Sequence, residues 1–303
     1  MNSPPISIVV ALIAGGQEPT ATCLAAIEAG VKQHDAEVLV PYDHRLDGFE
    51  ELARRFPWAQ FIDCRSQIDA NRYGRFSREH HDILRAIGLN RARGKILALL
   101  EDHGTPGPDW ISTALRVHEK SYAGVGGTVD NGVNKLLNWA VYYCDFGRYQ
   151  APVSDGPSEF ISDSNCAYKR EALEAVKDCW HDAFHETFVN WKLREMGREL
   201  RLDPGMVVYQ TRTGLTLGAA LTERFVWGRS FAGTRAKGVS TAKRLIYAAF
   251  SFLLPFVLTG RILARGLGKR RAGKVLACAP LIFLLETIWS VGEFVGYATG
   301  RPQ

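Results

Sequence analysis

The chain has 303 residues, 37 basic and 32 acidic, for a formal net charge of +5. The charge is unevenly placed: from Lys243 onward there are nine Lys or Arg against two acids, Glu286 and Glu293, while residues 1–242 are slightly acidic. Basicity confined to the stretch with the longest apolar runs points to a membrane surface and against a nucleic-acid-binding face. A composition 46% apolar and 23% charged excludes wholesale disorder.

In chain order, Ile6 to Ile13 is a near-continuous, β-branched apolar run, the pattern of a strand covered on both faces, and it reads as a first strand rather than a signal peptide. Thr20 to Val31 predicts a helix with Leu24, Ile27 and Val31 on one face. Glu37 to Val40 predicts a second strand ending at Pro41-Tyr42-Asp43. A helix follows around Gly48 to Phe56, then a short strand at Gln60 to Asp63 and a helix at Arg78 to Arg93 with Ile83, Leu84, Ile87 and Leu89 apolar. Lys95 to Leu100 is another buried strand and ends in Glu101-Asp102-His103. This alternation predicts an open, mostly parallel sheet with flanking helices, in which ligands bind beyond the carboxyl ends of the strands, where Asp43 and Glu101-Asp102-His103 lie.

The second half is less regular. Strands are expected at Ala123 to Val129 and Arg201 to Tyr209, a short strand entering a helix around Ser162 to Glu171, and a helix from His185 stopped by Gly197. The six cysteines show neither a CxxC pair nor regular spacing and read as reduced, structural thiols.

Two acids and an imidazole at a strand end suit a divalent cation that neutralises a diphosphate; a polar turn after a buried strand accounts for the same triplet. His80-His81-Asp82 has metal-ligand chemistry too, but adjacent helical residues face different ways, so a polar helix start is preferred. Trp139, Tyr142 and Tyr143 suit either sugar stacking or core packing, with core favoured.

The order of these motifs resembles the inverting family-2 glycosyltransferases, which have the GT-A fold, over roughly residues 5 to 235. The resemblance rests on Asp43 at the end of the second strand and on Arg85-Ala86-Ile87-Gly88-Leu89-Asn90-Arg91-Ala92-Arg93-Gly94 in place of Arg-Asn-x-Gly-x-x-x-Ala-x-Gly. It continues with Glu101-Asp102-His103 then Pro106-Gly107-Pro108-Asp109-Trp110 in place of Asp-x-Asp then Pro-x-x-Trp. Asp163-Ser164-Asn165-Cys166-Ala167-Tyr168-Lys169-Arg170 matches Gly-x-Asn-x-Ala-x-Arg-Arg, and His185-Glu186 stands at the family's Glu-Asp pair. Three departures stand out: Glu-x-His for Asp-x-Asp, Ala86 for Asn, and a base longer by one methylene. A His ligand favours Mn²⁺ over Mg²⁺.

The resemblance implies an α/β GT-A domain at 1–235, Rossmann-like with a mostly parallel sheet, and a tail of apolar helices at 236–303. It implies nucleotide-sugar binding by Asp43, Arg85, Glu101, Asp102, Asn165, Arg224 and Trp227. It further implies a divalent metal, Mn or Mg, on Asp102 and His103, and Glu186 as general base, with His185 tuning it or meeting the acceptor. In Glu223 to Arg229 the stretch Arg-x-x-Trp partly matches the Gln-x-x-Arg-Trp of processive relatives. Arg224 or Arg229 would reach the diphosphate, or form a basic collar beside a membrane.

In the tail, the sixteen uncharged residues 245–260 are interrupted by Pro255; as a helix they extend about 24 Å, short of the ~30 Å hydrocarbon core. Residues 275–300 are long enough but carry Glu286, Ser290 and Glu293 on one stripe, which fits a surface amphipathic helix or a membrane helix packing that stripe on a partner. A two-pass hairpin would put Arg261, Arg265, Lys269, Arg270, Arg271 and Lys274 across the bilayer from Arg229, Arg235, Lys237, Lys243, Arg244 and Arg301. Six on each side gives no preferred orientation. In-plane or re-entrant helices on the cytoplasmic face are therefore expected, with all twelve charges at anionic lipid.

The resulting expectation is an enzyme moving a sugar from a nucleotide-diphosphate donor to a lipid-linked or saccharide acceptor in cell-surface polysaccharide or glycolipid biosynthesis. The rivals are a transferase acting on a simple membrane lipid and a catalytically degraded homologue that scaffolds a polysaccharide assembly complex at the membrane.

Overall fold

The computed structural model describes residues 3–12, 16–43, 48–68, 78–236, 238–269 and 271–302. Ile13, Lys237 and Arg270, which entered the expectations above, lie outside the described residues. The chain separates into two compact units, one of residues 1–130 and 151–211, the other of residues 131–150 and 212–303. The change in composition near residue 235 marks where the apolar tail begins; packing groups 131–150 and 212–235 with that tail.

The first unit is built on a mixed sheet. β1 (Ile6–Ala11), β2 (Glu37–Tyr42), β3 (Gln60–Asp63) and β4 (Ile96–Glu101) form a parallel block in the order β3-β2-β1-β4. β1 and β4 are buried at every position, which is why both read as unbroken apolar runs rather than alternating ones. The sheet continues through β8 (Asn165–Lys169), β6 (Gly124–Asn131), β9 (Leu200–Gln210) and β5 (Gly104–Pro106), with β7 (Gly156–Ser158) on β9. β8 runs antiparallel to β4 and β6 antiparallel to β8, so the parallel character expected of the whole sheet holds for its first four strands.

Helix α1 (Gln17–His34) packs on α4 (Trp110–His118), and α3 (Arg78–Arg91) lies over β1 and β2. Both glycines of the Arg85–Gly94 stretch serve that seating. A Cβ on Gly88 would strike the Val9 side chain, and one on Gly94 would strike the Ser7 backbone. Arg170 locks the turn between α3 and β4, donating from Nε to Gly94 O at 2.7 Å and from Nη2 to Ala92 O at 2.8 Å. Helix α7 (Glu186–Glu195) ends as expected near Gly197, whose φ of +71° is the left-handed geometry glycine adopts without strain. All six cysteines are free thiols.

The second unit is helical: α5 (Leu136–Phe146), α8 (Leu217–Ala236), α9 (Thr241–Phe250), α10 (Leu254–Leu267) and α11 (Ala272–Thr299). Pro255 falls in the first turn of α10, where its missing N–H costs nothing, and α9 and α10 are separated by a short 3₁₀ turn. Trp139, Tyr142 and Tyr143 are buried and in mutual ring contact, so they are core, as favoured above.

The polar stripe of α11 faces inward. Glu286, Ser290 and Glu293 are buried, while Leu276, Phe283, Leu284, Val291 and Phe294 form the exposed stripe. Within the second unit the stripe meets α8 and α5: Arg224, Cys144 and Asp145 act on Glu286, and Arg235 acts on Glu293.

Candidate active site

The carboxyl ends of β2 and β4 deliver the acids. Asp43 follows β2, is 1% exposed, and accepts a hydrogen bond from His80 Nε2 at 2.9 Å. His80, His81 and Asp82 begin α3 and are all buried, against the expectation of a polar helix start. The expectation failed because this end of α3 is covered: His80 is turned to Asp43, and Asp82 to Arg85 one turn on.

Arg85 is the hub. Its Nη1 donates to Asp82 Oδ1 at 2.8 Å, and its Nη2 lies 3.0 Å from Asp163 Oδ2 and 3.4 Å from Glu101 Oε1. The guanidinium, expected to bind a nucleotide sugar, holds three buried carboxylates in place instead. Burial pushes the Glu101 carboxyl above the ordinary carboxylate range; Asp163 adds to this, and His103, Arg85 and Gln210 oppose it. Gln210 at the end of β9 donates from Nε2 to Glu101 Oε2 at 3.2 Å. Its amide oxygen is buried and has no donor among the described residues.

His103 sits between two carboxylates. Its Nδ1–H donates to Asp102 Oδ1 at 3.0 Å, and its Nε2 lies 3.3 Å from Glu101 Oε2. A carbonyl anchor fixes the residue from the other side, since Thr211 donates to His103 O through both backbone N–H and hydroxyl, each at 2.8 Å. Glu101 and Asp102 thus meet opposite nitrogens of the imidazole, Nε2 and Nδ1. Asp102, fully buried and with its backbone N–H on Ala11 O, stands behind His103 and is not the facing ligand expected for a metal.

This donor set fits a divalent cation. Glu101 Oε2 and His103 Nε2 lie 3.3 Å apart, close enough for both to meet one cation, and the other imidazole nitrogen is held by Asp102. A carboxylate behind a histidine is also how metal-ligating imidazoles are oriented. Among the described residues no three His, Cys, Asp or Glu side chains are arranged as a metal cage.

Phe184 donates its N–H to Asp82 O at 2.8 Å, tying the entry to α7 to the start of α3. Glu186 then opens α7 with its side chain 20% exposed and Oε2 3.8 Å from His185 Nδ1. The charges of Asp163, Arg85 and Glu186 all act on the buried Cys166 thiol, which burial first of all pushes up, so the three groups share one neighbourhood.

Two expected ligand contacts are spent on the fold. Asn165 accepts from Trp110 Nε1 at 2.7 Å and donates to Thr128 O and Met206 O, both at 2.9 Å. Both of its side-chain N–H donors and one lone pair of its amide oxygen go to joining β8, β6, β9 and α4. Arg224, on α8 in the second unit, is buried, paired with Asp145, and stacked on Trp289, so its charge is neutralised internally. Trp227 is half-buried on the same helix. Sequence reasoning named His80 and Asp163 without giving either a place in the site, and missed Gln210. The buried Asp43 implied a partner, but nothing in the local pattern pointed to Asp163 or Gln210.

A mixed sheet with flanking helices and an acid-rich carboxyl edge defines a GT-A glycosyltransferase. The family described as Glycosyl transferase family 2 matches residues 22–177, just over half the chain, and the chain belongs to that family of glycosyltransferases. No curated protein sequence matches it. Among solved structures it is similar to the mannosyltransferase PcManGT from Pyrobaculum calidifontis in complex with GDP-Man and Mn²⁺. The TM-score is 0.56 at 15% identity, over 99% of this chain and 87% of that one. It is also similar to S. aureus TarS 1–349 in complex with UDP-GlcNAc, with a TM-score of 0.54 at 11% identity, over 98% and 92%. At these identities the likeness is one of fold.

Proposed function

We propose that the chain transfers a sugar, with inversion, from a nucleotide-diphosphate donor to a lipid-linked or saccharide acceptor at the cytoplasmic face of a membrane, in polysaccharide or glycolipid synthesis. The observation that carries this reading is the acid cluster at the carboxyl end of β4, with His103 held between Glu101 and Asp102. The nucleotide sugars bound in both structural neighbours support the donor class.

In this reading Asp43, held by His80, accepts a hydrogen bond from the nucleotide base. Glu101 and His103 hold a divalent cation, Mn or Mg, and Asp102 orients the imidazole. When bound, such a cation offsets charge developing on a leaving diphosphate. The unsatisfied Gln210 amide oxygen offers an acceptor to a sugar hydroxyl. Glu186 takes the proton of the acceptor hydroxyl as that oxygen attacks the anomeric carbon from the side opposite the diphosphate. Its partial exposure leaves the face an acceptor needs.

The membrane part of the reading rests on the exposed apolar stripes of α9, α10 and α11. Two stretches, Thr241–Leu267 and Ala272–Thr299, are long and apolar enough to cross a bilayer. With polar groups turned inward and Leu245, Ile246, Phe250, Phe252 and Phe256 outward, one face meets lipid while the other is protein, which suits helices lying in or dipping into one leaflet.

The test is thermal stabilisation by a panel of nucleoside diphosphates with and without Mn²⁺. Metal-dependent stabilisation is expected for the wild type and its loss in Glu101→Ala and His103→Ala. No such stabilisation by any nucleotide would leave a degraded scaffold as the better reading. Glu186→Gln should retain donor binding while turnover falls by about 10²–10⁴.

A further inference from the structure

Helix α7 begins at the proposed base and carries a row of aromatic rings away from it. His185, Phe188 and Trp191 recur every three residues, so they follow one side of the helix. Their rings are in unbroken contact. The His185 and Phe188 centroids are 4.8 Å apart at an interplanar angle of 64°, and those of Phe188 and Trp191 are 5.4 Å apart at 86°. Both are edge-to-face contacts, which ring quadrupoles favour. At the inner end, His185 Nδ1 lies 3.8 Å from Glu186 Oε2. Exposure rises outward: the His185 side chain is 19% exposed, Phe188 is half-buried and Trp191 is 38% exposed.

The core does not require this row. The inward positions of α7 are Val189, Asn190 and Leu193, all fully buried. Asn190 anchors that side, accepting from Tyr168 OH at 3.0 Å and donating to Ile161 O at 2.9 Å. The rings project from the other side of a helix already fixed in place, and Trp191 is unusually open for a side chain that is highly buried on average. Charges of both signs flank the outer end: Arg194 Nη2 lies 3.6 Å from Glu159 Oε1 and Lys192 Nζ 3.7 Å from Glu195 Oε2, all four side chains exposed. A bilayer would strip water from these pairs, and their acids oppose an anionic leaflet. A sugar suits both features. Its C–H face meets the electron-rich face of an aromatic ring, and its hydroxyls hydrogen-bond to the polar rim.

We propose that Phe188 and Trp191 form a binding platform for the sugars of the acceptor that lie beyond the one presented to Glu186. The platform deepens the transferase reading above and rests on it, because the acceptor hydroxyl is placed at Glu186. From His185 to Trp191 the helix rises about 9 Å, more than one sugar ring covers. The acceptor class is thereby narrowed to an oligosaccharide, free or lipid-linked, rather than a single sugar or a simple lipid.

The test is saturation-transfer NMR on the full chain, in a detergent without a sugar headgroup. Maltotriose, cellotriose, mannotriose and chitotriose are titrated beside their monosaccharides. At least one trisaccharide is expected to bind, about tenfold more tightly than its monosaccharide. Trp191→Ala should weaken that binding about tenfold, and Trp191→Phe should keep most of it. Phe252→Ala, which removes an exposed ring of the second unit, should change nothing. Metal-dependent stabilisation by nucleoside diphosphates should be the same in Trp191→Ala as in the wild type, since the platform lies outside the donor site. A wild type that binds no trisaccharide, or binds it as well in Trp191→Ala, overturns the platform and leaves the donor reading standing. A wild type that binds a trisaccharide through Trp191 but is stabilised by no nucleotide overturns the transferase reading, and the acceptor assignment with it. Trp191→Ala that loses vesicle binding but no trisaccharide affinity would give the rings to a membrane and overturn the proposal.

Discussion

The acids of the carboxyl edge are held by cations of the chain itself, and this sets what single substitutions do. Asp43 and His80 are both about 1% exposed and 2.9 Å apart. An acceptor role for Asp43 toward a nucleotide base therefore depends on His80 fixing which oxygen is turned away. Asp43→Asn should weaken nucleoside diphosphate binding about tenfold, because a hydrogen bond to a charged acceptor is lost. His80→Asn keeps a donor and should cost less, while blurring the discrimination between UDP and GDP. Titration calorimetry with both nucleotides reads the two effects; unchanged affinities in both variants would remove the pair from the donor site. The motif order set Asp43, Glu101, His103 and Glu186 at strand or helix ends, and they stand at such ends; the roles given to them are proposals. It gave chemical identity without direction. Asn165 has the right identity, yet Trp110 and two backbone carbonyls from other strands consume it, partners that lie 37 to 55 positions away in sequence.

At the scale of elements, the buried strands and their helices were legible because periodicity reports burial directly: β1 and β4 read as double-faced apolar runs and are so. The pairing of α8 with α11 was not, since it depends on close backbone approach rather than on an apolar stripe. A Cβ on Gly228 would meet Trp289 O, one on Gly292 would meet Phe225 O, and one on Gly296 would meet Arg229 O. Small residues at this spacing let two helices touch along their backbones. Gly292→Leu should force them apart and cost about 1–3 kcal/mol, whereas Gly260→Ala and Gly273→Ala, which face open space, should not. Thermal unfolding checks this. The same interface predicts a pH response. Burial raises the Glu293 carboxyl, against opposition from the Trp289 N–H on Oε1 at 2.6 Å and from Arg235. The folded chain then keeps this proton at a pH where the unfolded chain has lost it. Glu293 therefore favours folding most below about pH 4.3, the ordinary glutamate value, and that contribution is lost as pH rises from there to the raised folded value. Glu293→Gln, which can still accept from Trp289, should flatten the pH dependence of stability over that interval; an unaltered profile would mean the carboxyl ionises freely.

For the whole molecule, the charge split has a physical consequence. The residues before Lys243 are slightly acidic and carry the proposed metal and base chemistry, while the tail concentrates the basic excess beside exposed Phe and Leu side chains. In the proposed membrane-associated state the tail would be attracted to an anionic leaflet by charge and held there by apolar burial, and the front part would gain nothing from approaching it. A spanning hairpin would have to carry the bases between Arg261 and Lys274 through the hydrocarbon and leave them on the far side, where the six-to-six division of charge offers no net gain. An in-plane tail keeps them with the others at one surface. Protein added to preformed vesicles with trypsin sealed inside separates the two arrangements. A spanning hairpin exposes that loop to the enclosed protease and is cut there. An in-plane tail stays intact and is released from the vesicles by alkaline carbonate. Cleavage within 261–274 by the enclosed trypsin would overturn the in-plane arrangement, and with it the reason for placing all of the tail's cations at a single leaflet.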